Sequence, residues 1–208
     1  MHTRRVGILL FPDVELLDYC GPFEVFSVTR LRPDRRREEP SPFEVLLVAE
    51  KSGTITTIGG MRVLPDCTCA ACPPLDILLV PGGWGTREQM RNAFLIDWIR
   101  NRARQAETLA SVCTGALLLG SAGLLDGLQA TTHWQALDLM QQTFPRVELD
   151  RTRHFIQHGR VFTSAGISAG IDMALKLVEH HFGEGVARST AKYMEYPYPD
   201  DDKRRIEI

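Results

Sequence analysis

Four short runs, "VGILLF" (6–11), "FEVLLVA" (43–49), "LDILLV" (75–80) and "TLASV" (108–112), are apolar along almost their whole length. A strand with one wet face alternates polar and apolar residues. A run that does not alternate belongs to a strand covered on both faces, the situation of parallel strands between two layers of helices. Helical patterns fill the intervals at 21–29, 86–104, 114–122 and 134–143, and two more, 168–181 and 184–193, close the chain. This rhythm predicts an α/β fold, a doubly wound, mostly parallel sheet sandwiched by helices. Two β-hairpin insertions interrupt it, one at 53–66 around a Gly-Gly pair and one at 154–164 turning at His158-Gly159.

At 208 residues the chain is long enough for one domain with a substantial core, and no linker or repeat divides it. Its net charge of −2 gives no electrostatic case for nucleic acid or a membrane surface. The basic stretch at 30–42 also carries Asp34, Glu38 and Glu39, so it reads as a solvated loop. The apolar run after Arg4 and Arg5 meets Pro12 and Asp13 too soon for a signal sequence, and nothing approaches a membrane span. Five cysteines, an odd number, suit a reducing compartment, so a cytoplasmic location is expected. Residues 197–208 mix both charge signs with prolines and read as a surface tail.

The chemistry-bearing residues fall at strand ends, where open parallel sheets bind ligands. Cys113 ends the run 108–112 and opens a helix, in the small-x-nucleophile-x-small pattern Ser111-x-Cys113-x-Gly115. A thiol so placed would project above the sheet, and the helix amino terminus would lower its pKa. The Thr114 N–H could stabilise an oxyanion; a buried structural cysteine is the plain alternative. Gly82 and Gly83, after the run 75–80, offer bare backbone N–H groups for an anion, or an ordinary turn. Asp18, flanked by Leu16, Leu17 and Tyr19, is a candidate proton donor of raised pKa, or a helix cap. His133, before another helix, could orient the nucleophile or simply cap and pack, with Trp134 beside it in the core. The Cys67, Cys69 and Cys72 group lacks both a fourth ligand and zinc-site spacing, so no metal is expected there. His154 with His158, and His180 with His181, have no carboxylate at metal-site spacing. Dinucleotide and P-loop glycine patterns are absent.

Taken in order, "LLFPDVELLDYCGPFEVF", "VPGGWG", "SVCTGALLLGSAGLLDG", "ATTHW" and "TSAGISAGIDMAL" resemble the ThiJ/PfpI superfamily, of class I glutamine amidotransferase-like fold. Within it, the chain is most similar to isocyanide hydratases and to the amidotransferase-like domains of AraC-type regulators. No stretch is left over here for those regulators' helix-turn-helix. The resemblance implies a flavodoxin-like sandwich, a homodimer, a small-molecule substrate and no metal or organic cofactor. It makes Cys113 the nucleophile and Asp18 its acidic partner. Gly82 and Gly83 become the oxyanion turn, Thr114 the residue after the nucleophile, His133 a neighbour of the site, and Ile167 and Ser168 a bordering loop. Thr114 departs from the His of peptidase-like relatives, while Cys20 and Trp84 depart from the hydratase pattern and bear on the pocket. The implied activity is hydration of a small isocyanide to an N-substituted formamide through a Cys113 thioimidate. The alternatives are a ligand- or redox-sensing module and a glyoxalase- or deglycase-like activity on small carbonyls.

Overall fold

The computed structural model describes residues 2–208. In chain order the elements are β1 (Arg4–Leu10), α1 (Leu16–Val28), β2 (Phe43–Ala49), β3 (Ile55–Thr56), β4 (Arg62–Val63), β5 (Cys67–Thr68), β6 (Ile77–Val80), α2 (Thr86–Gln89) and α3 (Ala93–Gln105). They continue with β7 (Thr108–Val112), α4 (Gly115–Ser121), β8 (Gln129–Ala130), α5 (Leu137–Thr143), β9 (Glu148–Leu149), β10 (Phe155–His158), β11 (Val161–Ser164), α6 (Ala169–Phe182) and α7 (Glu184–Tyr193). The main sheet has the order β10-β11-β7-β6-β1-β2-β5. Every neighbouring pair is parallel except β10 with β11, the second expected hairpin. The four apolar runs are β1, β2, β6 and β7. In β1, β6 and β7, Ile8, Leu9, Leu78, Leu79, Leu109 and Val112 are buried, as strands covered on both sides require, whereas in β2, near the sheet edge, Val45, Leu46 and Leu47 are only partly buried.

From β1 the chain moves one way to β2 and, later, the other way to β6 and β7. Right-handed crossovers then put α1 and α3 on opposite faces. α1 packs with α6 and α7, and α3 packs with α4. The reversal between β1 and β6 opens a crevice beyond the carboxyl ends of the strands, the place where such sheets bind ligands.

Several boundaries differ from expectation. Helix α1 begins at Leu16 and runs through Gly21-Pro22, which reads locally as a helix start. Asp18 therefore lies inside the first turn and is not the cap. The segment 86–104 is two helices, because the Asn92 side chain accepts the Leu95 N–H and starts a new helix. The 134–143 segment opens with a 3₁₀ turn, Trp134–Ala136, before α5. The tail is tied down: His154 N–H donates to the Asp202 carbonyl at 2.6 Å, and Arg204 N–H to that of Thr152 at 2.8 Å. Among the described residues no helix is long and apolar enough to cross a membrane.

Candidate active site

Cys113 sits where β7 turns into α4, with φ at +56°. A left-handed backbone at a non-glycine residue costs about 1–3 kcal/mol and persists only where its surroundings impose it. Here its N–H is shared by the Ser164 and Ala165 carbonyls, both at 3.2 Å, and its own carbonyl accepts the Thr132 hydroxyl at 2.7 Å. The turn is tight because the start of α4 lies against the end of β6. A Cβ on Gly115 would fall 2.0 Å from the Val80 carbonyl oxygen. Gly115→Ala is expected to destabilise the fold by about 2 kcal/mol or more, because backbone and not a flexible side chain is in the way; urea unfolding measures it.

Asp18 is completely buried. Its Oδ2 accepts the Gly82 N–H at 2.9 Å, and its Oδ1 is buried with no hydrogen-bond partner. Burial pushes its pKa up to about 8, with Glu15 adding to the rise. The Gly82 N–H, the Cys113 thiol and the Ile167 N–H act in the opposite direction. At neutral pH the carboxyl is therefore mainly protonated. Since an N–H occupies Oδ2, the proton belongs on Oδ1, the oxygen left for Cys113 and for anything bound beside it.

The expected lowering of the Cys113 pKa is overturned. Burial and the Asp18 carboxylate raise it well above its usual value, although the Thr114 N–H and hydroxyl favour the thiolate. A short helix terminus does not outweigh desolvation plus a neighbouring carboxylate. The two groups titrate as a pair, and protonation of Asp18 removes the charge that opposes the thiolate.

The glycine turn also differs from expectation. Its amides are not free for an oxyanion: Gly82 N–H holds Asp18, and Gly83 N–H donates to Thr114 Oγ1 at 2.9 Å. Thr114 Oγ1 lies 3.1 Å from the Gly83 carbonyl, which also accepts the Thr86 hydroxyl at 2.7 Å. Thr114 can thus turn its single proton to the sulfur while Thr86 keeps that carbonyl satisfied. Glycine is obligatory at 82, where a Cβ would sit 2.5 Å from the Thr114 nitrogen and 2.9 Å from Asp18 Oδ2.

The other expected residues lie farther out. Ile167, at φ +51°, turns its N–H toward Asp18, and Ser168 follows it at the start of α6. Both line a pocket of about 180 Å³ with His133, Trp134 and Arg204. His133 makes no hydrogen bond to Cys113. Its Nδ1 accepts the Gln135 N–H at 3.3 Å, and burial, Arg204 and Arg87 lower its pKa. Trp134 is exposed at the pocket rim and is not core; Trp84 is 76% exposed and stands on the surface. Cys20 is half-buried beside Tyr19, its thiol raised by burial, and forms no hydrogen bond to Cys113 or Asp18.

Cys69 and Cys72 are held protonated by burial, at about 12 and about 11, while the Cys69 and Cys72 carbonyls accept Trp98 and Arg102. Among the described residues no group of His, Cys, Asp or Glu is arranged to hold a metal ion. Four contributors carry no candidate role in the sequence, Thr86, Thr132, Arg204 and Asp172, the last meeting His154, considered there only as a metal ligand, at 2.8 Å. The motif "TSAGISAGID" was the available signal for Asp172.

Residues 4–180 match the DJ-1/PfpI family. The chain belongs to that family. An isonitrile hydratase of Pseudomonas putida is 39% identical over 199 residues, covering 95% of this chain and 81% of that protein. The HTH-type transcriptional regulator GbdR of Pseudomonas aeruginosa is 34% identical over 94% of this chain, which spans 51% of the regulator. A THiJ/PfpI family protein from Pseudomonas syringae superposes with a TM-score of 0.82 at 27% identity, covering 97% of this chain and 78% of the other. The DJ-1/PfpI assignment agrees with the resemblance drawn from the motifs and with the mixed α/β sandwich.

Proposed function

We propose that this DJ-1/PfpI protein is a cysteine-dependent hydratase that converts a small isocyanide to an N-substituted formamide. One observation carries the reading: a completely buried Asp18 carboxyl, its Oδ1 without a hydrogen-bond partner, beside the Cys113 thiol. An isocyanide needs a nucleophile and a proton at the same carbon, and this pair offers both. The 39% identity to a protein named isonitrile hydratase supports the choice of substrate class.

In the singly protonated form of the pair, with the shared proton on Asp18, the Cys113 sulfur accepts hydrogen bonds from Thr114, adds to the terminal carbon and forms a C–S bond. Asp18 delivers its Oδ1 proton to that carbon, giving the thioimidate R–N=CH–S–Cys113. The Asp18 carboxylate then takes a proton from a water as the water adds to the same carbon. Asp18 gives its proton to the nitrogen of the tetrahedral adduct and takes the hydroxyl proton as the Cys113 thiolate is expelled, releasing R–NH–CHO. The sum is isocyanide plus water to formamide, with no redox change and both residues restored. A homodimer in the cytoplasm is the setting this reading implies.

Incubating the purified chain with cyclohexyl isocyanide, and separately with methylglyoxal, tests the proposal by NMR of the products. Formation of N-cyclohexylformamide is the expected result. Lactate from methylglyoxal without formamide would replace it with the carbonyl reading. Binding without turnover would favour a sensor, a second reading supported by the regulator similarity along 94% of the chain.

A further inference from the structure

Residues 203–206 cross the site as a strap. Lys203 pairs with Arg153 in an antiparallel bridge, and Arg205 lies 3.1 Å from Asp172, which also holds His154. Between these anchors the Arg204 guanidinium reaches inward. Its Nε donates to the Arg151 carbonyl at 2.9 Å, and one terminal nitrogen donates to Thr131 Oγ1 at 3.0 Å and to the Thr132 carbonyl at 3.2 Å. Thr131 and Thr132 are both fully buried, and the Thr132 hydroxyl is the donor to the Cys113 carbonyl.

We propose that Arg204 is a positioning residue for the nucleophile, acting through Thr132. Among the described residues no carboxylate lies within ion-pair distance of Arg204. A half-buried guanidinium without such a partner is costly unless neutral acceptors satisfy it. All three of its acceptors belong to 131–132 and 151, so its planar fork fixes that backbone. Fixing residue 132 fixes the hydroxyl that holds the Cys113 carbonyl. The other contact to that carbonyl, from the Ala116 N–H, is long at 3.5 Å. Without Thr132 the left-handed turn loses its short bond on the carbonyl side, and the thiol loses its aim at the Thr114 donors and Asp18.

The inference rests on Cys113 being the reactive thiol of the proposed function, but its test does not depend on the isocyanide. Iodoacetamide labelling of Cys113, resolved from the other cysteines by peptide mass spectrometry, is followed from pH 6 to 11.5. The proteins compared are wild type, Arg204→Ala, Thr132→Val and the double variant, with circular dichroism to establish folding. Each single variant is expected to move the labelling midpoint to higher pH and to slow labelling at pH 7 at least about fivefold. The double variant should be no worse than the poorer single one, because both act along one path. Thr132→Ser and Arg204→Lys should restore the rate in full and in part, respectively. Where an isocyanide is turned over, kcat should fall with KM little changed. An unmoved midpoint overturns the proposal, as does faster labelling at every pH, the mark of mere loosening. Additive effects of the two variants overturn it as well. Should Arg204→Ala fail to fold, Arg204→Met, which keeps the aliphatic stem, carries the same expectation.

Discussion

Replacing Cys113 with Ser or Ala is expected to abolish formamide production, a loss of at least about 10⁴-fold in kcat, while the protein stays folded. The size of the loss follows from covalent chemistry. An isocyanide carbon has to accept an electron pair before it can be protonated and hydrated, and the Cys113 sulfur is hydrogen-bonded with the Asp18 carboxyl. Serine is nearly isosteric and keeps every backbone contact of the elbow, so its failure would isolate the nucleophile from the fold. Its hydroxyl has no base nearby strong enough to ionise it, since Asp18 is itself mainly protonated at neutral pH. Far-UV circular dichroism and urea unfolding should be close to wild type for Cys113→Ser. Formamide production above about one hundredth of wild type in the Ala variant would remove the cysteine from the mechanism. Loss of turnover together with loss of fold would be read on the Ser variant instead.

How much of this was legible in the sequence depends on how local the physics is. β1, β6 and β7 were legible because burial on both faces writes itself into consecutive residues, and β2 because it is nearly as apolar, although Val45, Leu46 and Leu47 are only partly buried. Cys113 and Gly82 were legible as strand-end residues, which the doubly wound fold brings together, and Asp18 reaches them from the first turn of α1. The start of α1 was not, because Gly21-Pro22 looks like a helix boundary. The ring at Pro22 removes a helical hydrogen bond, a cost tertiary packing against α6 offsets. The thiol pKa was misjudged for a related reason. The helix-terminus argument uses the residues next to Cys113, whereas the dominant influences are burial and a carboxylate 95 positions earlier in the chain, at Asp18. The same holds for the glycine amides, whose partners are 64 and 31 residues away. Thr132 and Arg204 join residues 19 and 72 apart and carry no local pattern at all.

Asp18→Asn is expected to change activity and stability in opposite directions. Turnover should fall about 10²–10⁴-fold, because the amide keeps the shape and the Gly82 contact but has no proton acidic enough to give to carbon. Wild-type activity should rise with pH up to about 8, where the pair loses its first proton and the form with a Cys113 thiolate beside a protonated Asp18 becomes accessible, and the residual activity of the variant should lack that step. Stability behaves differently. Asp18 keeps its proton to about pH 8 in the native state but releases it near 3.8 when unfolded, so between those values the native state binds more protons. The stabilisation is therefore complete below pH 4 and is lost progressively as pH rises toward 8, with a slope of at most about 1.4 kcal/mol per pH unit. Asn carries no charge to bury, so its stability relative to wild type should improve steadily from pH 5 to pH 8. Urea unfolding at pH 5, 6.5 and 8 checks this, and parallel curves for the two proteins would show that Asp18 is not held protonated by the fold. A rising curve for Asn with undiminished turnover would separate the two roles, leaving a buried neutral acid that does not serve the reaction. The loss and the gain both come from one desolvated carboxyl: the environment that makes Asp18 an acid at neutral pH is the one that makes its anion costly to keep.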